Sequence, residues 1–296
     1  MKRLGMSEGG RSFVDETGRP RFFAVDTAWA LPFRATVVET EEYARDRAGK
    51  GFTGALLMAI QPDTRADGPD DREAHGGFAR GVEGLADGRL GWPIEKYFRH
   101  LDEQIAILRG HGIVPFVTPL FYGFGWRGLD VIGPTADPGE AATFARFLAE
   151  RYDDGPVVWL AGADGTGHEP AVAAMGRAIR DTTSAPVGIH YNPWQRPTAH
   201  ADEPWCDFHL IQTGHAGEHR AELLSAYGDR ALANGEPTYE GMDGGKAGRG
   251  DWQRHEAWSN FCAGGTLSCF YGAASLWQWK RDGEDDLWGP WCAAPE

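Results

Sequence analysis

Eight apolar runs, near Phe22, Phe52, Ile113, Val157, Val187, Phe208, Ala231 and Leu267, recur along the 296 residues and are mostly separated by segments of helical periodicity. This alternation constrains the fold more than any other feature. A strand whose helix leads back to a parallel neighbour buries both faces of a sheet, and eight such units in a chain of this length close into a (β/α)8 barrel. The expected architecture is α/β: a TIM barrel forming a single domain over residues 1–296, with an N-terminal hairpin and long βα loops. An open doubly wound sheet is the alternative, because no clear helical pattern lies between His190 and Asp207 and little chain follows Trp279 for an eighth helix.

Local signals set the element boundaries. Ser12–Val14, a turn over Asp15–Gly18 and the run Arg21–Val25 read as the hairpin. Thr36 followed by Glu39 is a capping box; the helix it opens runs to Ala48 and stops at Gly49 and Gly51. Ile94, Tyr97, Phe98, Leu101, Ile105 and Leu108 form a helical stripe. Asp137 as N-cap, Pro138 and Glu140 open another helix through Tyr152. Further helices are expected over Pro170–Arg180, Glu218–Tyr227 and Asp251–Cys262, and a long loop of many Gly and Asp runs from Gln61 to about Gly91.

Composition narrows the function classes. With 12 Trp, 8 Tyr and 15 Phe the chain carries too many order-promoting aromatics to be disordered. A net charge of −14 sets a repulsive field against nucleic acid and anionic membranes, so neither is an expected partner. The N-terminus has no apolar signal-peptide core and no run is long enough to span a bilayer, which leads to the expectation of a cytoplasmic protein. Cys206, Cys262, Cys269 and Cys292 form no C-x-x-C pair and are expected to be buried free thiols.

Two motif matches fail on context. Gly123 to Gly128 spells G-x-G-x-x-G, but a Gly and a Pro follow where a dinucleotide fold needs a helix to receive the pyrophosphate. The segment reads instead as a Gly-rich loop bearing Trp126. His215, Glu218 and His219 match H-x-x-E-H of inverted zinc peptidases, yet Gly214 and Gly217 interrupt the helix that would align the two rings. No serine-hydrolase elbow or P-loop is present, and neither a cofactor nor a metal is expected.

The chemistry gathers where the strands end. In a barrel the catalytic groups sit on loops after the strand C-termini, and here those places hold Asp26 and Trp29, Gln61, Asp164, His190 and Asn192, Gln212 and His215, Glu236 and Tyr239, then Tyr271 and Trp277. Aromatic faces stack on the C–H patches of sugar rings while carboxylates and amides take hydroxyls, so the rim reads as a binding site for an oligosaccharide or glycoside. Cleaving a glycoside takes two carboxyl groups, and Asp164 and Glu236, after strands four and seven, would face each other across the mouth. A carbohydrate-binding barrel without turnover is the alternative of another class.

The same residues carry a family resemblance. Phe23–Trp29, Ala48–Phe52, Val158–Asp164, Leu210–His215, Asn234–Glu240 and Leu276–Trp279 together resemble the apiosidase-like glycoside hydrolases, a (β/α)8 family acting on plant-type polysaccharides. The resemblance implies Asp164 as general acid/base and Glu236 as nucleophile of a retaining mechanism. This chain departs from the family in Gly-Ala-Asp at 162–164 and Thr-Gly-His-Ala at 213–216. The sugar remains open, because the Gln61–Gly91 loop is idiosyncratic in composition.

Overall fold

The computed structural model describes residues 1–61, 90, 93, 95–123, 132–193, 199–213, 224, 231–241 and 250–280. Eight strands form one parallel sheet: β4 (Phe23–Asp26), β5 (Gly54–Met58), β6 (Val114–Thr118), β7 (Val158–Leu160), β8 (Val187–His190), β9 (Phe208–Ile211), β10 (Leu232–Asn234) and β11 (Ser268–Tyr271). Each pairs with its sequence neighbour, and β11 returns to pair with β4. The remaining seam is closed by Leu267 N–H donating to Leu232 O and, near the opposite end, by a bridge between Glu240 and Ala273. The result is a (β/α)8 barrel, not the open sheet.

Helices form where the caps say they should. Helix α2 (Val37–Gly49) follows the short α1 (Leu31–Arg34); Thr36 accepts from Glu39 N–H while the Glu39 carboxylate accepts from Thr36 N–H, a complete capping box. The turn after α2 needs Gly51, whose φ of +89° is left-handed. The expected stripe becomes α3 (Glu95–Gly110). After the four-residue α4 (Ile132–Thr135), Asp137 caps α5 (Pro138–Tyr152) through the N–H groups of Gly139 and Glu140. Then come α6 (Pro170–Thr182), α7 (Asp251–Cys262) and the short α8 (Ala274–Trp277). The helix expected over Glu218–Tyr227 falls outside the described residues except Leu224, and none of the described helices is long and apolar enough to cross a membrane.

The barrel floor is aromatic. The N-terminal hairpin proves to be a three-stranded antiparallel sheet, β1 (Leu4–Met6), β2 (Phe13–Asp15) and β3 (Pro20–Arg21). It delivers the fully buried Phe13 edge-on to Phe23, Phe116 and Phe208 at 5.4–6.0 Å. This plug seals the end where the strands begin and leaves the other end for polar groups. One expectation needs correction: Cys262, near the C-terminus of α7, is exposed, and Cys206 and Cys269 are only partly buried; Cys292 lies outside the described residues.

Candidate active site

Asp164 lies four residues past the end of β7, where the chain has left the sheet but still bridges its neighbours at Ala163 and Gly165. Its φ is +55°, a left-handed conformation that Asp adopts more readily than most residues but that still costs on the order of 1 kcal/mol or more. Such strain persists only where surroundings impose it. Here the Asp164 N–H donates to Nδ1 of the fully buried His190, 3.2 Å away, and Gln212 Nε2 donates to Oδ1 at 2.7 Å while also reaching Tyr191 O at 3.0 Å. The second oxygen packs against Gly123, where an added Cβ would come within 2.0 Å of it, so that position tolerates only glycine.

Glu236 enters from the far wall, two residues past β10. Tyr239 donates its hydroxyl to Glu236 Oε1 at 2.5 Å, and Trp29 Nε1 donates to that hydroxyl at 3.0 Å. Trp277, on α8, stacks on the Tyr239 ring with centroids 6.2 Å apart and planes 13° apart. His190 Nε2 lies 3.4 Å from Glu236 Oε2, and its ring meets Trp29 edge-on at 5.2 Å. Both carboxylates remain partly open while the groups around them are buried.

Burial pushes both carboxyl groups above the ordinary carboxylate range, and the charge of Asp164 further opposes ionisation of Glu236. The pair therefore retains a proton near neutrality, shared as one coupled titration. Hydrogen bonding decides where it rests. With Nδ1 accepting from Asp164 N–H, a neutral His190 carries its proton on Nε2, facing Glu236. Among the described residues Glu236 thus faces two donor groups, Tyr239 OH and His190 Nε2–H, against one side-chain donor for Asp164, an imbalance that favours the anion on Glu236.

One ligand atom each from Asp164, His190 and Glu236 lie within 4.8 Å of one another, close enough to invite a cation. The donor set does not suit one. A neutral His190 whose Nδ1 accepts a backbone N–H has no lone pair left on Nε2, the nitrogen that faces Glu236.

Of the residues expected at the rim, Trp29, Asp164, His190, Gln212, Glu236, Tyr239 and Trp277 come together. Asp26 and Tyr271 do not. They are register partners on β4 and β11, directly after Val25 and Phe270, and strand alternation turns them outward because Phe270 meets Phe116 inside the barrel. Asp26 is fully buried against α2, accepting from Tyr43 OH at 3.1 Å and pairing with Arg47 at 2.9 Å. Tyr271 gives its hydroxyl to Glu240 and packs on Phe52 at 5.7 Å. Gln61 is buried at the described end of the segment after β5, and Asn192 is half-buried, its N–H donating to Gly165 O at 2.9 Å. Trp126, His215, Glu218 and His219 lie outside the described residues.

Sequence reasoning missed Glu256. It is fully buried on α7, accepts from Thr238 N–H at 3.0 Å and faces Asn234 Nδ2 at 3.4 Å. A signal was available: the buried stripe of α7 is Gln253, Glu256 and Asn260, polar where an amphipathic helix should be apolar.

The apiosidase-like catalytic-domain profile matches residues 7–294. Comparison with curated proteins returned no match. Among solved structures, a family 5 glycoside hydrolase from Bacteroides vulgatus aligns with 98% of this chain and 66% of its own at 21% identity and a TM-score of 0.76. A second, putative glycoside hydrolase from the same organism aligns over 98% of this chain and 58% of its own, at 15% identity and a TM-score of 0.65. The catalytic domain of a Thermobifida fusca endoglucanase, solved with cellotetraose, aligns over 95% of this chain and 85% of its own, at 11% identity and a TM-score of 0.60. At these identities the likeness speaks for the barrel fold, and the chain spans about two thirds or less of the two Bacteroides proteins.

Proposed function

We infer the reaction from the premise that the chain belongs to the apiosidase-like catalytic-domain family and is a glycosidase: it cleaves O-glycosidic bonds of a plant-type or related glycan with retention of configuration. Asp164 protonates the leaving oxygen and then activates water, and Glu236 attacks the anomeric carbon. One observation carries this reading: oxygens of Asp164 and Glu236 approach within 4.8 Å from opposite walls of the mouth. Inversion needs about 6.5 to 9.5 Å between the groups to seat a water, whereas double displacement uses about 5 to 5.5 Å.

The surroundings suit those roles. Tyr239 and the Nε2–H of His190 favour an ionised Glu236, while burial favours a proton on Asp164. The substrate is an oligosaccharide or glycoside, a reading supported by the cellotetraose bound to the endoglucanase, and residues 1–296 act as one catalytic unit. A panel of aryl pyranosides and furanosides assayed with wild type beside Glu236→Gln tests it. Turnover by wild type that Glu236→Gln lacks is expected; equal turnover by both would remove Glu236 from the chemistry.

A further inference from the structure

The turn carrying Glu236 is strapped from both sides to a helix outside the barrel. Asn234 and Thr238 flank Glu236, and the two oxygens of Glu256 on α7 face them: Oε2 accepts Thr238 N–H at 3.0 Å and Oε1 lies 3.4 Å from Asn234 Nδ2. One turn earlier on the helix, Gln253 Nε2 donates to Thr238 O at 3.1 Å. Asn234 also gives Nδ2 to Thr213 Oγ1 at 2.8 Å, and its Oδ1 accepts the backbone N–H of Glu236 at 3.3 Å. Burying a carboxylate completely is costly unless both oxygens are satisfied, so its presence on a helix face that could have been apolar calls for a reason.

We propose that Glu256 is the positioning residue for Glu236, acting through the orientation of the Asn234 amide. The inference rests on the assignment of Glu236 as nucleophile. An Asn side chain can present its oxygen or its nitrogen to the same neighbour; the Thr213 hydroxyl fits either, whereas the Glu256 carboxylate takes only the nitrogen and so leaves Oδ1 to meet Glu236 N–H. Glu256→Gln replaces one of two acceptor oxygens with a donor. The new amide keeps its oxygen on Thr238 N–H and turns its nitrogen toward Asn234, which flips and releases Glu236 N–H. Adding Asn234→Asp to the same chain restores complementarity, because the carboxylate so introduced accepts from the amide at position 256 with one oxygen and from Glu236 N–H with the other.

The test compares wild type, Glu256→Gln, Asn234→Asp and the double variant, using the aryl glycoside that wild type turns over fastest. Glu256→Gln is expected to lose roughly tenfold to a hundredfold in kcat with KM little changed, the size of effect expected from misplacing a reacting group. The double variant should recover most of that loss. A readout independent of turnover is the amide proton of Glu236 in a TROSY spectrum: upfield and fast-exchanging in Glu256→Gln, restored in the double variant. An unmoved Glu236 amide in Glu256→Gln overturns the proposal, and so does a moved amide with wild-type kcat; the nucleophile assignment stands or falls separately, with the turnover of Glu236→Gln. If Glu256→Gln folds poorly, Asn234→Ala removes the acceptor of Glu236 N–H while leaving Glu256 in place. It should lower kcat at constant KM and move the Glu236 amide in the same sense, and a wild-type kcat there overturns the proposal equally.

Discussion

His190 joins the two carboxylates by accepting the backbone N–H of one and turning its other ring nitrogen to the second: Nδ1 is 3.2 Å from Asp164 N and Nε2 is 3.4 Å from Glu236 Oε2. A single imidazole thereby stabilises a left-handed Asp and favours charge on the Glu. Its tautomer is the checkable consequence. Side-chain 15N NMR at neutral pH should show the proton on Nε2, and a proton on Nδ1 would contradict the arrangement. His190→Ala should lower kcat by roughly tenfold to a hundredfold, since it removes support from both carboxylates at once.

The coupled pair sets the pH dependence. Because burial raises both groups, kcat/KM should be bell-shaped, with its basic limb well above the usual carboxylate range where the last proton leaves Asp164. Asp164→Asn should abolish that limb. Tyr239→Phe should act on the other one: without the hydroxyl that donates to Glu236 Oε1, Glu236 holds its proton more tightly and the acid limb moves upward by about one pH unit, the equivalent of about 1.4 kcal/mol. An acid limb unmoved in Tyr239→Phe would show that the 2.5 Å contact does not stabilise the anion.

Asp26 behaves as a structural acid. Burial raises it from 3.8 to about 6, opposed by the Arg47 guanidinium and the Tyr43 hydroxyl. A folded value above the unfolded one means that its contribution to stability is full below about pH 4 and is lost as pH rises through 6. At pH 7 the ionised Asp26 depends on Arg47, so Arg47→Met should destabilise by about 3 to 5 kcal/mol in urea unfolding. At about pH 4.5, where Asp26 is protonated in the fold, the deficit should shrink. Because Asp26 faces α2 rather than the mouth, kcat of the folded variant should stay at the wild-type level; a large fall would bring Asp26 back into the site.

How much of this was legible depended on whether a signal was local. Thr36 with Glu39, and Asp137 with Pro138, named their helices because a cap is read within four residues. The positions of Asp164 and Glu236 followed from strand counting, which needs only the order of apolar runs. Facing was not legible at the strand ends: Asp26 and Tyr271 look like rim residues in sequence, but a one-residue offset from Val25 and Phe270 sends them to the helix layer. Glu256 was hidden for the opposite reason, since its partners Asn234 and Thr238 belong to another element and only the fold brings them together.

Spacing makes the stereochemistry a sharp test. With oxygens of the two carboxylates within 4.8 Å, short of the spacing that seats a water for inversion, the first step is expected to form a glycosyl ester on Glu236. Glu236→Ala removes the nucleophile and opens space for a small anion; turnover should vanish, and added azide should restore it while yielding the glycosyl azide of inverted configuration. Asp164→Ala should differ, sparing the first step for dinitrophenyl leaving groups, which need no proton, and slowing hydrolysis of the ester, which needs a base. Proton NMR of the first-formed sugar decides between the mechanisms: the anomer of the substrate is expected first, and the opposite anomer would leave Glu236 as a general base acting through water.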